Sequence, residues 1–183
     1  MRKLILKMSM SLDGFVSGPN GEEDWMAPSR SEDGAAWVLE TLSQAGVHAV
    51  GSRSFRLWAG YWPTSTHPMA APMNDIPKVV FSKTLNSATW AETRIAGGPL
   101  EEEIESIKAR PGGYVIAYGG ARFARALIRG GLVDEYRLNI QPAALGTGMP
   151  IFTELREPLK LELVEARAFA GGNVGHVYKP RSS

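Results

Sequence analysis

The fold of this chain is decided by the stretch Val115-Ile116-Ala117-Tyr118-Gly119-Gly120-Ala121-Arg122-Phe123. Its first half is a short apolar run typical of a strand buried in a parallel sheet, and apolar residues recur at helical spacing over residues 123–128. Two glycines join the halves, so backbone N–H groups at the start of the helix can face a phosphate. The stretch therefore predicts a strand, a pyrophosphate-binding turn and a helix; a glycine pair that merely makes a tight turn is the alternative.

The residues on either side of this unit alternate between apolar strands and amphipathic helices. In the last third of the chain two apolar runs follow each other without a helix between them, which predicts an antiparallel hairpin. We therefore expect a three-layer α/β fold, in which helices cover both faces of a mixed, mainly parallel sheet that ends in the hairpin. The predicted strands are 3–10, 47–50, 77–81, 89–95, 114–117, 136–140, 159–169 and 174–178, and the predicted helices include 31–45, ended by Gly46, and 100–109. The Pro-rich stretch 63–72 is predicted to be a loop.

Composition and charge narrow the class of partner. The 183 residues include 20 Lys and Arg against 19 Asp and Glu, so no field strong enough to attract nucleic acid or a membrane surface is expected. Cysteine is absent and the three histidines are far apart, which argues against a metal site. A small-molecule ligand fits this composition best.

The length predicts one domain at residues 1–180, followed by a tail at 181–183. The first residues lack the apolar core of a signal peptide, and no stretch is apolar for long enough to span a membrane, so we expect a cytoplasmic protein. Apolar residues at 132–133 and in the loop 142–152 would be exposed on a monomer, which predicts a homodimer.

Two other predicted strands end in residues suited to phosphate. Gly51-Ser52-Arg53-Ser54 offers hydroxyls and a guanidinium, and Ser82-Lys83 offers a hydroxyl and an ammonium. Each segment alone fits a capped helix start or a solvated turn nearly as well. Because the carboxyl ends of parallel strands meet at one edge of a sheet, the three strand ends together predict a dinucleotide site.

Fewer residues are candidates for catalysis or substrate binding. Asp13 follows the first predicted strand and can donate a proton if apolar neighbours raise its pKa; an ordinary Asp-Gly turn is the alternative. Trp25 and Trp58 are predicted, ahead of Trp37, to line a pocket for a flat heterocycle, although such residues more often belong to the core.

Several motifs together resemble a known family. They are Ser11-Leu12-Asp13-Gly14-Phe15, the Gly-x-x-Ser-Phe turn that starts at Gly51, Phe81-Ser82-Lys83-Thr84-Leu85, the Gly119-Gly120 helix and the segment 131–152. The chain resembles the dihydrofolate-reductase-like superfamily, and within it the reductase domain at the C-terminus of the bifunctional riboflavin-biosynthesis deaminase/reductase. The resemblance spans residues 3–178 and implies that fold.

The resemblance also implies where a cofactor binds. The pyrophosphate of NADPH would lie on Gly119, Gly120 and Ala121, next to Phe123. Residues 51–54 and 82–83 would flank the adenosine phosphates, and the nicotinamide would lie near Met10 and Asp13. Family members often carry Arg directly after the glycine that matches Gly51, where this chain has Ser52 and then Arg53, so NADH is not excluded.

The implied activity is transfer of hydride from NADPH to a C=N or C=O bond of a small, heterocyclic or carbonyl substrate. Two enzymatic alternatives are dihydrofolate or pterin reduction and 5-amino-6-(5-phosphoribosylamino)uracil reduction. Riboflavin reductases commonly have an acid before the glycine pair, where this chain has Ala117 and Tyr118, and Asp33 is a weak match to the acid of folate reductases. An alternative of another class is a nucleotide-binding module without catalysis.

Overall fold

The computed structural model describes residues 1–181, so Ser182 and Ser183 of the predicted tail lie outside the described residues. Its helices and strands follow the predicted alternation. Two short 3-10 helices, Asp24–Ser29 and Trp62–Thr64, interrupt the loops. The strands are β1 (Leu4–Ser11), β2 (Ala45–Gly51), β3 (Lys78–Phe81), β4 (Thr93–Ile95), β5 (Tyr114–Tyr118), β6 (Glu135–Gln141), β7 (Leu161–Ala168) and β8 (Val174–Pro180). The α-helices are α1 (Glu32–Ser43), α2 (Ser52–Ala59), α3 (Ala70–Asp75), α4 (Leu100–Lys108) and α5 (Ala121–Arg129).

The eight strands form one sheet in the order β4-β3-β2-β5-β1-β6-β8-β7. Neighbours from β4 to β6 are parallel, and β8 pairs antiparallel with both β6 and β7. β1 is central, with Leu6 beside Ala117 of β5 on one side and Tyr136 of β6 on the other. The predicted α/β class, with its C-terminal antiparallel hairpin, is confirmed.

Alternate side chains of the central strands point into two cores. On one face Leu6 and Val115 pack with Leu127 of α5 and Ile104 of α4, all nearly inaccessible to solvent. On the other face Val50 and Ile116 pack with Leu42 of α1, Phe55 of α2 and Met73 of α3. Helices therefore cover both faces of the parallel part of the sheet, which is the expected three-layer arrangement.

Three local predictions are wrong. Gly46 does not end a helix but lies within β2, where a Cβ atom would approach the carbonyl oxygen of Gly113 to 2.7 Å, so close contact between strands requires glycine. Leu132 and Val133 are buried against the core rather than exposed, so they provide no dimer surface. The segment 63–72, expected to be a loop, includes the start of α3.

A buried histidine makes stability depend on pH. His48 is 2% exposed, and its Nε2 lies 2.9 Å from the carbonyl oxygen of Pro72, so the neutral ring donates that hydrogen bond. Burial lowers the pKa of His48 from its ordinary value of 6.5 to about 4. The unfolded chain therefore binds a proton more readily than the folded chain between these two values.

We expect the free energy of unfolding to fall by roughly 3 kcal/mol through this residue as the pH drops from 6.5 to 4, and to level off below. Urea unfolding at several pH values measures the change. His48→Gln keeps a donor for the Pro72 carbonyl but does not titrate, so its curve should lack this component. An equal loss in the variant would show that other groups cause it.

Candidate functional site

One cavity lies at the carboxyl edge of the parallel strands, between the starts of α2 and α5. Its volume is about 470 Å³. Ligands of open parallel sheets bind at this edge, beyond the strand ends. The lining consists of Gly51, Ser52, Arg53, Ser54 and Leu57, the run 119–123, and Met8, Val16, Ser17, Gly21, Glu23, Phe81 and Met149.

Both helices begin without a side-chain cap. Gly51 is the N-cap residue of α2 and Gly120 that of α5, and neither position offers a side chain to accept the first N–H groups. Gly119 and Gly120 have φ values of 72° and 77°, a region that L residues rarely adopt. The free N–H groups of two helices therefore converge on one cavity, which is an arrangement that binds anions.

The charges on the four longest helices differ in a consistent way. α1 and α4 have acidic residues in their first turns, which suits the positive end of a helix dipole. α2 and α5 have none there and instead carry Arg53 and Arg122 as second residues, both exposed and both lining the cavity. A cation at that end of a helix is unfavourable unless an anion lies beside it. The two arginines thus indicate a polyanionic ligand.

Glycine is required here by space as well as by backbone conformation. A Cβ atom on Gly119 would lie 2.6 Å from Cζ2 of Trp58, and one on Gly51 would lie 3.0 Å from Cβ of Phe123. Trp58 in turn stacks on Tyr118, with ring centroids 4.7 Å apart. These contacts hold the glycine turn close to α2.

The structure brings together eight of the predicted cofactor residues. They are Gly51, Ser52, Arg53, Ser54, Gly119, Gly120, Ala121 and Phe123.

Five other predicted residues lie outside the lining of this cavity. Ser82 accepts the N–H groups of Thr84 and Leu85 in a turn, and Lys83 is exposed beside it. Trp58 packs on Tyr118, and Trp25 donates its indole N–H to the carbonyl of Glu22. Met10 is buried in the core. Their roles in binding stay predictions.

Asp13 does not meet the condition that apolar neighbours raise its pKa. Its exposed carboxylate accepts hydrogen bonds from the Ser11 hydroxyl at 2.6 Å, from Gly146 N–H at 2.7 Å and from Leu145 N–H at 3.0 Å. The Ser11 bond contributes most, and together these bonds lower the pKa of Asp13 to about 2. Asp13 is therefore an ionised residue that holds the loop after β6, and it is unsuited to donate a proton near neutral pH.

Asp33 has a similar structural role at another place. It lies in the first turn of α1, and its carboxylate accepts the N–H of Ala170 at 3.0 Å. It does not line the cavity. The geometry gives no support to Asp33 as the acid of a folate-reductase site.

Two titratable residues near the cavity were missed by the sequence analysis. Lys7 lies in the middle of β1 on the face opposite Met8, and its ammonium donates to the Ser9 hydroxyl at 3.4 Å. Burial lowers the pKa of Lys7 to about 8, an effect that the nearby Glu23 carboxylate opposes. Burial raises the pKa of Glu23, which lines the cavity. The available signal was a lysine in the mostly apolar first strand, because burying its charge there costs solvation free energy.

Residues 1–181 hold no group of three or more His, Asp or Glu side chains arranged to bind a metal ion. No helix in the same range has both the length and the apolar character needed to cross a membrane.

Comparisons with known proteins give matches over nearly the whole chain. The family described as RibD C-terminal domain matches residues 2–174. The uncharacterized protein YyaP of Bacillus subtilis (strain 168) is 35% identical over 184 residues, covering 97% of this chain and 94% of YyaP.

Solved structures show the same fold at low identity. A candidate riboflavin biosynthesis protein from Shewanella sp. PV-4 superposes with a TM-score of 0.78 at 20% identity, with both chains fully covered. A diaminohydroxyphosphoribosylaminopyrimidine deaminase/5-amino-6-(5-phosphoribosylamino)uracil reductase from Thermotoga maritima gives 0.71 at 15% identity. That match covers 98% of this chain and 57% of the bifunctional protein, so this chain corresponds to one part of it.

Proposed function

Since this chain belongs to the RibD C-terminal domain family, whose members are reductase-like, we propose that it is an NADPH-dependent reductase of a small C=N or C=O substrate. The cavity between α2 and α5 would hold the dinucleotide. The pyrophosphate would contact the N–H groups that follow Gly51 and Gly120.

The observation that carries this proposal is the pair of uncapped helix starts, each with an arginine. A pyrophosphate supplies negative charge for both dipoles, and a further phosphate on the adenosine ribose supplies a partner for a second guanidinium. The cavity volume of about 470 Å³ suits part of an extended dinucleotide whose remainder lies along the open strand edge. Two arginines favour NADPH over NADH.

When bound, the dinucleotide supplies a hydride to the carbon of the C=N or C=O bond. The nitrogen or oxygen of that bond then needs a proton, and Asp13 with a pKa of about 2 does not carry one near neutral pH. Lys7, with a pKa of about 8, is protonated at pH 7 and gives up a proton more easily than an ordinary lysine. We therefore propose Lys7 as the proton donor, and the negative charge of Glu23 favours its protonated form.

The fold shared with a reductase of known substrate suggests one substrate class to test. The Thermotoga maritima protein reduces 5-amino-6-(5-phosphoribosylamino)uracil according to its description, and this chain shares its fold. Pterins, pyrimidines and simple carbonyls are the substrates to test.

The proposal is tested by titrating the protein with NADPH and NADH while following Trp fluorescence and energy transfer to the reduced nicotinamide. Micromolar NADPH binding with weaker NADH binding is expected. Binding without turnover of any of the three substrate classes would favour the nucleotide-binding module instead. Absence of binding to either dinucleotide would refute the site.

The arginines can be tested separately. We expect Arg53→Ala and Arg122→Ala each to weaken NADPH binding by about 10-fold to 100-fold, because each removes a charge-assisted contact. The loss should shrink at high salt, where such contacts are screened. Arg56→Ala is the matched control, since Arg56 lies on the same helix outside the cavity lining. If all three variants bind NADPH as tightly as the wild type, the starts of α2 and α5 do not bind a phosphate.

A further inference from the structure

The cavity between α2 and α5 is also lined by two loops that pair with each other, residues 12–18 after β1 and residues 143–150 after β6. We call these two segments the loop pair. The N–H of Val16 donates to the carbonyl oxygen of Met149 at 2.9 Å, and the N–H of Met149 donates to that of Ser17 at 2.9 Å. All three residues line the cavity. The loop pair therefore forms part of the cavity wall.

Asp13 provides a charged link between the two segments of the loop pair. Its carboxylate belongs to the first segment and accepts N–H groups of the second, from Leu145 at 3.0 Å and from Gly146 at 2.7 Å. The hydroxyl of Ser11 orients the carboxylate by donating to it at 2.6 Å. Hydrogen bonds to an ionised acceptor are stronger than those between neutral groups. Asp13 is therefore well suited to hold the second segment against the first.

The second segment depends on this link because it has few other hydrogen bonds. Within residues 1–181, the backbone N–H groups of residues 144–148 that find an acceptor are those of Leu145 and Gly146, and the acceptor of both is Asp13. Gly146 is exposed, and a Cβ atom added to it would meet nothing within 4 Å, so packing does not hold it. Loss of the carboxylate would therefore leave this part of the loop free to adopt other conformations.

Close packing carries the order of the loop to the cavity. A Cβ atom on Gly148 would lie 2.4 Å from the carbonyl oxygen of Ser17 and 3.0 Å from Cβ of Phe15, so the two segments touch at this position. Phe15 also pairs with Pro150 in an antiparallel bridge. Met149 lies between these two contacts, so its place in the cavity wall depends on how closely the segments approach each other.

We propose that Asp13 is a positioning residue for the dinucleotide, which holds the loop pair together and so keeps Val16 and Met149 in place in the cavity wall. Asp13 itself does not line the cavity. The proposal rests on the proposed function, since it takes the ligand to be a dinucleotide. A wall that is ordered before binding raises affinity, because less conformational entropy is lost when the ligand arrives. By linkage, a bound dinucleotide stabilises the loop pair in return.

Titration of Asp13→Asn with NADPH tests the proposal. Asparagine has nearly the shape of aspartate but no charge, so we expect affinity to fall about 10-fold, the loss that corresponds to one charge-assisted hydrogen bond. Turnover at saturating NADPH should stay within about threefold, since the effect is on binding rather than on the reacting atoms.

Asp33→Asn is the matched control. The carboxylate of Asp33 also joins two distant segments, because it accepts the N–H of Ala170 at 3.0 Å, but it lies outside the cavity lining. This variant should bind NADPH like the wild type.

Hydrogen exchange with and without NADPH observes the loop pair directly. Residues 143–150 should exchange at least about 10-fold faster in Asp13→Asn than in the wild type, because local opening becomes easier. NADPH should slow their exchange in both proteins. Ser11→Ala removes the hydrogen bond that orients the carboxylate and should show smaller changes in the same direction. It replaces Asp13→Asn if circular dichroism shows that the latter is unfolded.

The outcomes separate this proposal from the proposed function. If the wild type binds NADPH and Asp13→Asn binds it equally well, Asp13 is not a positioning residue and the proposed function stands. Equal losses of affinity in Asp13→Asn and Asp33→Asn would show an effect of general stability, which also overturns the proposal. A wild type that binds neither NADPH nor NADH would refute the proposed function and this inference together.

Discussion

Replacing Gly120 with valine is expected to weaken NADPH binding by at least about 100-fold, the loss that corresponds to two or more charge-assisted hydrogen bonds. A Cβ atom at Gly120 would lie 3.0 Å from Oγ of Ser54, where the starts of α2 and α5 meet. A branched side chain there would keep a phosphate from reaching the N–H groups of both helices. Titration with NADPH, followed by Trp fluorescence, measures the loss.

Gly131→Val is the matched control for this experiment. Gly131 follows the other end of α5, has a φ of 64°, and a Cβ atom added to it would meet nothing within 4 Å. Both variants force valine into a left-handed conformation and should lose about 1–2 kcal/mol of stability. Only Gly120→Val should lose binding. If both variants bind NADPH like the wild type, the glycine pair is an ordinary tight turn.

The β5–α5 unit was predictable because everything that defines it is local. The apolar run of β5, the glycine pair and the apolar face of α5 occupy 16 consecutive residues from Tyr114 to Arg129, and Gly130 follows as the C-cap of the helix. The same holds for the turn at Gly51. These two local units supply most of the cavity lining, so the candidate cofactor site could be located before the structure was known.

Gly46 shows what a local pattern cannot reveal. A glycine after an amphipathic helix is the usual stop signal, and the sequence offers no reason to read it differently. The reason lies in Gly113, whose carbonyl oxygen would be 2.7 Å from a Cβ atom on Gly46. That contact joins residues 67 positions apart, so only the paired strands β2 and β5 disclose it.

The titratable residues were misjudged for the same reason. Local sequence places Asp13 in a turn after β1, but its pKa is set partly by N–H groups of Leu145 and Gly146, on a loop that arrives 132 residues later. Lys7 looks like a solvated charge in the sequence, yet β1 is the fifth of eight strands across the sheet, so its stem is enclosed. Burial and distant donors decide pKa values, and neither is local.

If Lys7 donates the proton, Lys7→Met should lower turnover by about 100-fold to 1,000-fold. This is the range typical of the loss of a general acid. NADPH affinity should stay within about twofold, because Lys7 does not line the dinucleotide cavity. Methionine fills a similar volume without a buried charge, so the variant should fold. The assay follows NADPH oxidation with a pterin, pyrimidine or carbonyl that the wild type reduces.

The pH profile separates proton donation from simple electrostatics. A donor with a pKa of about 8 must be protonated to act, so wild-type turnover should decline as the pH rises through about 8. Lys7→Arg keeps the positive charge but does not release its proton in this range, so it should be as slow as Lys7→Met and lack that decline. Asp13→Asn should keep the wild-type pH profile, since its carboxylate orders a loop. If Lys7→Arg turned over at the wild-type rate, Lys7 would act only as a fixed positive charge and the proton would come from solvent.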